Sequence, residues 1–171
     1  VTGDNLIGMV QSNQKKNVEG LPEVYKVGCV GYVEFHSKTP DGRYLINLKG
    51  ISRFKIEKEI ETNNLYRTFK VNYNDFIKDF GDENKININT LDLIHKTKKL
   101  FEKHQLSTDW KIVEKVEASQ LINSLSMICP FTVSEKQRLL ETIDITDRKE
   151  VLNQIINFYI LGNNEENRNI H

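Results

Sequence analysis

The sequence predicts an α+β fold, in which strands fill the first half of the chain and helices the second. Between Glu23 and Lys58 apolar residues recur with a period of two, which is typical of strands that bury one face. From about Thr90 onward the apolar period is close to 3.6 residues, as in amphipathic helices. Strands followed by helices, rather than alternating with them, indicate the α+β class.

The clearest strand pattern is a β-meander in the first half of the chain. Lys26–Ser37 alternates along one strand, and Arg43–Lys49 resumes the alternation along the next. Thr39–Gly42 is predicted to turn the chain between them, because Pro40 fixes φ and glycine accepts a positive φ. Gly50 interrupts the second strand, so a kinked third segment is expected after it.

Two further strands and a loop flank this meander. Leu6–Gln11 is a short apolar strand candidate, and Tyr66–Tyr73 alternates as another strand. Ser12–Gly20 is polar and is predicted to be a loop. The charged cluster Phe80–Lys85 contains a glycine, and the hydrophobic period changes beyond it. We therefore predict a β subdomain over residues 1–82, a helical subdomain over 83–162 and a flexible tail over 163–171.

The helical half is predicted to hold four or five helices. The first starts near Asn89 or Thr90, and its predicted buried side carries Leu91, Ile94, Leu100 and Phe101. The cluster Ser107–Asp109 would cap a short second helix. The third buries Ala118, Leu121, Ile122, Leu125, Ile128 and Cys129, and Pro130 stops it. Thr132 and Glu135 form a capping-box pattern for the fourth, and the last runs from Asp144 or Thr146 to Gly162.

The composition excludes several classes of protein. Lys and Arg number 24, as do Asp and Glu, so net charge gives no support to nucleic acid or an anionic membrane as an obligatory partner. No run approaches the roughly 18 apolar residues that span a bilayer, and no signal segment opens the chain. We therefore expect a cytoplasmic protein. Cys29 and Cys129 lie in apolar runs and are expected to be reduced and buried.

No group of residues forms a recognisable catalytic or metal-binding pattern. The phosphate-binding motif G-x-x-x-x-G-K-[ST] is absent. The four histidines, at positions 36, 95, 104 and 171, are dispersed, so neither a metal site nor a cofactor is expected. Aromatic and basic residues alternate at Tyr66-Arg67 and Phe69-Lys70, which would suit stacking with single-stranded RNA. Ordinary strand alternation produces the same pattern.

Two blocks of sequence carry motifs of a known family. The first reads Y-x-V-G-x-V-G at Tyr25–Gly31, then D-G-R-Y-L-I-x-L-x-G at Asp41–Gly50, then R-F at Arg53-Phe54. The second is NSLSMICPFTVSEKQRLLE at Asn123–Glu141. Together these blocks resemble the N-terminal substrate-recognition domain of Lon-type ATP-dependent proteases and its stand-alone members. In that family another strand and a helix precede the segment at Leu6, so we expect the printed sequence to begin inside the domain.

The resemblance implies a PUA-like β pseudo-barrel followed by a C-terminal helical bundle. It also implies non-catalytic recognition of an unfolded or partner polypeptide, in association with a protease or chaperone system. Neither the P-loop nor the serine-lysine protease pair of the full Lon enzyme is found, so enzymatic activity is not expected. The alternatives are a PUA-like RNA-binding module and a binder of small ligands.

Strand parity then suggests where a polypeptide could bind. The inward face of the meander is predicted to carry Cys29, Val33, Phe35, Tyr44, Ile46, Leu48, Phe54 and Ile56. Four apolar residues are left on the opposite face: Val30, Tyr32, Leu45 and Ile51. Either another segment of the protein covers these four, or they form a shallow groove for an unfolded polypeptide.

Overall fold

Strands precede helices in the structure, a computed structural model that describes residues 4–16, 20–63, 65–81 and 88–162. The chain divides into two compact units, residues 1–82 and 83–171. The six strands of the first unit are β1 (Leu6–Met9), β2 (Ser12–Lys16), β3 (Pro22–Val24), β4 (Val27–Lys38), β5 (Tyr44–Ile60) and β6 (Thr68–Asn72). The tail predicted for residues 163–171 lies outside the described residues.

The strands form two antiparallel sheets. One has four strands in the order β1-β4-β5-β6, and the other contains β2 and β3. The loop predicted for Ser12–Gly20 is therefore wrong at its start, because Ser12–Lys16 is a strand whose Ser12 lies opposite Val24. The side chains of Ser12, Asn13 and Lys15 are not buried, so this strand needs no apolar alternation, and its polar sequence therefore resembles a loop.

Two bulges set the register between β4 and β5. Val33 lies opposite Leu48, but Phe35 lies opposite Asn47, so Glu34 is an extra residue on β4. Val30 lies opposite Ser52 and Gly31 opposite Gly50, so Ile51 is an extra residue on β5. Residues directly opposite each other share a face, and one extra residue reverses the parity of everything beyond it.

These bulges overturn part of the predicted inward face. Val33, Phe54 and Ile56 are buried as predicted, whereas Phe35, Tyr44 and Ile46 are exposed. Phe35 changes face at the Glu34 bulge. Phe54 lies opposite Gly28 while Cys29 lies opposite Arg53, so Phe54 and Cys29 do not share a face either. Tyr44 and Ile46 lie on the same face of β5 as the half-buried Leu48, but they are nearer the turn, where that face is no longer covered.

The β4–β5 ladder extends past its neighbours on both sides. On the β1 side, the Val33 N–H donates to the Asn5 carbonyl at 2.8 Å, and Asn5 has a left-handed φ of 55° that ends the strand. On the β6 side, pairing starts at Lys55. The part of this ladder in which Gly31–Lys38 pairs with Tyr44–Gly50 is called the hairpin arm, and β1 flanks only its base, at Gly31 and Tyr32.

The predicted turn closes this arm. The Thr39 N–H donates to the Arg43 carbonyl and the Gly42 N–H to the Thr39 carbonyl, at 2.8 and 2.9 Å. Gly42 has a φ of 85°, which glycine tolerates and other residues rarely adopt. The Asp41 carboxylate accepts from Arg43 Nε at 2.7 Å, and that hydrogen bond, with one from Thr39, holds the pKa of Asp41 below its ordinary value.

A buried ion pair fixes the base of the arm. The kinked 3₁₀ segment Asn74–Phe80 follows β6, and its Asp79 accepts from the Arg53 backbone N–H and from Arg53 Nε, both at 2.9 Å. A further Arg53 nitrogen lies 2.6 Å from the other Asp79 oxygen. The Arg53 guanidinium also lies 4.4 Å above the centre of the Phe76 ring. The Asp79 side chain thus takes the place of a neighbouring strand at Arg53, because it accepts the Arg53 backbone N–H.

The described part of the second unit is a bundle of five helices: α1 (Leu91–Lys103), α2 (Trp110–Val113), α3 (Ala118–Ile128), α4 (Val133–Glu141) and α5 (Ile145–Leu161). Their buried core includes Leu93, Leu100, Ile122, Leu125, Cys129, Leu139, Leu152 and Ile156. The capping box is confirmed, since the Thr132 hydroxyl accepts from the Glu135 N–H and the Glu135 carboxylate accepts from the Thr132 N–H.

Two residues assigned to the buried helical stripes are exposed. Leu91 is the first residue of α1 and lies off the stripe, which begins instead at Leu93. Ile128 is the last residue of α3, and burial passes to Cys129, whose extended backbone leads into Pro130. In both cases the residue lies at a helix end, where neighbouring turns cover only one side of it.

Candidate functional site

The four residues predicted to bind polypeptide are spread along the β4–β5 ladder. Val30 is half-buried opposite Gly8 of β1 and Ser52 of β5. Tyr32 is 40% exposed and Ile51, at the bulge, is 39% exposed. Leu45 lies on the arm, opposite Ser37, and is 62% exposed. The structure therefore does not bring the four together as one compact groove.

The register does place Tyr32 and Leu45 on one face. Tyr32 lies opposite Lys49, and Leu45 is four residues from Lys49 on the same strand with no bulge between them. Four residues of strand span about 13 Å. Phe35, which is 54% exposed, lies between them because it faces Asn47. Tyr32, Phe35 and Leu45 thus form a line of exposed apolar side chains along one face of the ladder.

The other face of the arm is apolar as well. Tyr44 and Ile46 are 61% and 47% exposed, and they lie opposite Lys38 and His36. The alternation of apolar residues predicts Tyr44, Ile46 and Phe35 in the interior, but all three are exposed. One sequence signal points to their exposure: three apolar residues in a row, Tyr44, Leu45 and Ile46, stand next to a turn. Strand alternation alone assigns Tyr44 and Ile46 to the core.

Both basic residues of the pattern that suits RNA stacking, Arg67 and Lys70, form ion pairs with carboxylates. Two nitrogens of Arg67 lie 2.6 Å from the two oxygens of Glu59, and the Lys70 ammonium lies 2.8 Å from Glu57. The hydrogen bond from Arg67 lowers the pKa of Glu59 below its ordinary value, and that from Lys70 does the same for the pKa of Glu57. The basic residues of this alternation, within β6 and just before it, are therefore explained by ion pairs with β5.

The cysteines do not present activated thiols. Burial, followed by the nearby Asp79 charge, raises the pKa of Cys29, whose Sγ donates to the Val30 carbonyl at 3.5 Å. Burial raises the pKa of Cys129 to about 12. A thiol becomes nucleophilic when its pKa falls, so both are poor nucleophiles.

Two negative findings concern only the part of the chain that the structure describes. There, no cluster of three or more His, Cys, Asp or Glu side chains is placed to hold a metal ion. No described helix has both the length and the apolar character needed to cross a membrane.

Comparison with protein families and sequences gives a consistent result. Residues 2–157 match the family model described as the ATP-dependent protease La (LON) substrate-binding domain. A Lon protease of Cytophaga hutchinsonii is 30% identical over 161 residues, which are 90% of this chain and 19% of that protein. A Lon protease of Heliobacterium modesticaldum is 24% identical over 149 residues, 85% of this chain and 18% of that protein. The chain thus spans less than a fifth of the length of these relatives.

Solved structures show the same fold. A Lon N-terminal domain protein from Xanthomonas campestris superposes with a TM-score of 0.55 at 16% identity, over 88% of this chain and 89% of that one. The N-terminal domain of Lon protease from Mycobacterium avium complex superposes with a TM-score of 0.54 at 15% identity, over 88% and 90% of the two chains. The predicted α+β fold and the resemblance to the Lon N-terminal domain family are both confirmed.

Proposed function

Because the chain belongs to the family of substrate-binding domains of ATP-dependent protease La (LON), we propose that it binds protein substrates and carries out no reaction on them. The matching family model covers a substrate-binding domain rather than an ATPase or protease domain. The printed sequence also lacks the phosphate-binding motif that ATP hydrolysis would require. We further propose that it works with a protease or chaperone system and, as its sequence suggests, in the cytoplasm.

The observation that carries this proposal is the apolar surface of the hairpin arm. Large apolar side chains are exposed on both of its faces, and they are Tyr32, Phe35, Tyr44, Leu45 and Ile46. A group of exposed apolar residues on a monomeric surface marks an interaction site more often than isolated ones do. Unfolded polypeptides expose the apolar side chains that such a surface would contact. Val30 and Ile51 lie at the base of this surface and are proposed as lesser contributors.

The affinity should be modest. An arm that projects from a sheet offers contact area but no enclosing pocket, and an unfolded chain loses conformational entropy when it is held. We expect a dissociation constant on the order of micromolar or weaker.

The test compares two Leu→Asp substitutions by titrating a fluorescently labelled, permanently unfolded protein. Leu45→Asp should weaken binding at least tenfold, because it places a charge on the apolar arm. Leu91→Asp is the matched control, since Leu91 is also exposed but lies in the helical unit, at the start of α1, where an acidic residue is favourable. Thermal melting of both variants verifies that they fold.

The same titration at increasing salt separates polypeptide binding from nucleic-acid binding. Phosphate contacts release counterions, so RNA affinity would fall steeply with salt, whereas apolar binding would not. Equal affinity of wild type and Leu45→Asp for the unfolded protein would show that the arm is not the binding site. If wild type and both variants all failed to bind, the proposed function would be contradicted.

A further inference from the structure

The two outer edges of the hairpin arm differ in how well they are protected. The β4 edge is interrupted by the bulge at Glu34, and beyond it carries His36 and Lys38. Bulges and charged side chains, lysine above all, are the features by which proteins prevent an edge strand from pairing with another chain. The β4 edge is therefore poorly suited to accept a further strand.

The β5 edge of the arm lacks these features. Tyr44–Gly50 is a seven-residue run between the turn and the Ile51 bulge, and its only charged side chain is Lys49. Among the described strands, only β4 pairs with this run, because β6 begins its pairing with β5 at Lys55. In an antiparallel ladder alternate residues direct their N–H and C=O groups away from the partner. Half of the backbone groups of this run therefore point to the open side.

We propose that the β5 edge from Tyr44 to Gly50 binds its polypeptide as an added β-strand. This proposal rests on the proposed function and specifies how the substrate is held. Main-chain hydrogen bonds to an edge do not depend on the sequence of the added strand, which suits a domain that must accept unfolded chains of many sequences. Tyr44 and Ile46 on one face and Leu45 on the other would then contact alternate side chains of the bound segment.

The charges of the arm favour an unfolded segment over a second copy of the chain. Around the arm Glu34 and Asp41 offset Lys38 and Arg43, so Lys49 leaves one excess positive charge. A second copy would bring the same excess charge, whereas an uncharged apolar segment meets no repulsion. Two copies paired antiparallel through this edge and centred on Ile46 would set Arg43 opposite Lys49 twice. Like charges directly opposite each other destabilise a sheet. The occupant is therefore an extended, apolar and uncharged segment.

The test alters the peptide and leaves the protein unchanged, so protein folding cannot confuse the result. A short peptide that alternates valine with threonine is prepared in three forms: unmodified, with alternate backbone nitrogens methylated, and with every backbone nitrogen methylated. N-methylation removes the donor without removing the side chain. A strand methylated at alternate residues keeps one edge that can pair with β5, so it should still bind, whereas the fully methylated peptide should bind at least tenfold more weakly.

Each outcome decides between the alternatives. If the fully methylated peptide binds as tightly as the alternately methylated one while unfolded protein still binds, strand addition is wrong and the proposed function stands. If unfolded protein binds but the unmodified peptide does not, strand addition is again rejected. If nothing binds, both proposals fail. Sedimentation of the free protein measures its oligomeric state. A dimer that does not bind the peptide would show that a second copy of the chain pairs with this edge, and it would overturn the proposal.

Discussion

The close approach of β1 to β4 gives a sharp prediction about Gly28. A methyl group added there would lie 2.5 Å from the Met9 carbonyl oxygen, 2.6 Å from Val10 Cγ1 and 2.7 Å from Phe54 Cζ. The Met9 oxygen belongs to a backbone held in register against β4, so it cannot move aside independently. Overpacking a core costs about 1–3 kcal/mol, and we expect Gly28→Ala to reach the upper end of that range.

Two alanine substitutions elsewhere in the same sheet serve as controls. At Gly50 the nearest atom to an added methyl is Cys29 Sγ at 3.8 Å, an ordinary contact, so Gly50→Ala should change stability by less than about 0.5 kcal/mol. At Gly31 the methyl would meet only the half-buried side chain of Leu48, at 2.5 Å. That side chain can rotate toward solvent, so Gly31→Ala should fall between the other two.

The measurement is urea unfolding followed by the NMR signals of the β4 amides. These signals report the β unit separately from the helical unit, which matters because a chain of two compact units need not unfold in one step. The midpoint should decrease in the order Gly50→Ala, Gly31→Ala, Gly28→Ala. Equal midpoints for Gly50→Ala and Gly28→Ala would show that the β1–β4 approach is not as close as described.

Three further predictions concern the core, the turn and acid stability. Leu125→Ala should lower the free energy of unfolding of the helical unit by about 2–5 kcal/mol. Ile128 is exposed on the same helix, so Ile128→Ala should lower it by less than about 0.5 kcal/mol. Urea unfolding followed by Trp110 fluorescence measures both, and equal losses would contradict the assigned core. Gly42→Val should destabilise the β unit by about 1–3 kcal/mol, because valine would adopt a φ of 85°; an unchanged midpoint would contradict that turn geometry. Burial opposes ionisation of Glu135, but hydrogen bonds from Thr132 and Tyr159 outweigh it and hold the pKa of Glu135 below the ordinary 4.5. The ionised carboxylate therefore stabilises the fold above about pH 4.5, and this stabilisation is lost as the pH falls through the lowered pKa. Melting temperatures at successive pH values should therefore fall less steeply on acidification in Glu135→Gln than in wild type, and parallel curves would exclude this linkage.

Local signals in the sequence predicted the helical unit well. Pro130 and the Thr132–Glu135 capping box act on their own neighbours, so their effect can be read without the rest of the fold. The stripe that buries Leu121 and Leu125 follows from helical periodicity, which any amphipathic helix must satisfy. The errors at Leu91 and Ile128 lie at helix ends, where burial depends on what packs beyond the helix.

The hairpin arm was predicted less completely, because its register is a tertiary property. The turn at Asp41-Gly42 was found from residue types alone. The bulges at Glu34 and Ile51 leave no mark in the sequence, yet each reverses the face of every later residue. Parity therefore places Phe35 inside when it is exposed, and it divides the apolar side chains of the arm between a core and a groove, although Phe35, Tyr44 and Ile46 are exposed like Tyr32 and Leu45.

The long ladder between β4 and β5 has a consequence for local motion. Its first part, near Cys29, has β1 on one side and β5 on the other, whereas the arm has a single ladder that ends in a turn. Amide hydrogens should therefore exchange with solvent quickly at the tip and progressively more slowly toward the base, since local opening costs least where few contacts are lost. A strand added along Tyr44–Gly50 would reverse this gradient, so that the fastest-exchanging part of the β4–β5 ladder becomes protected in the complex.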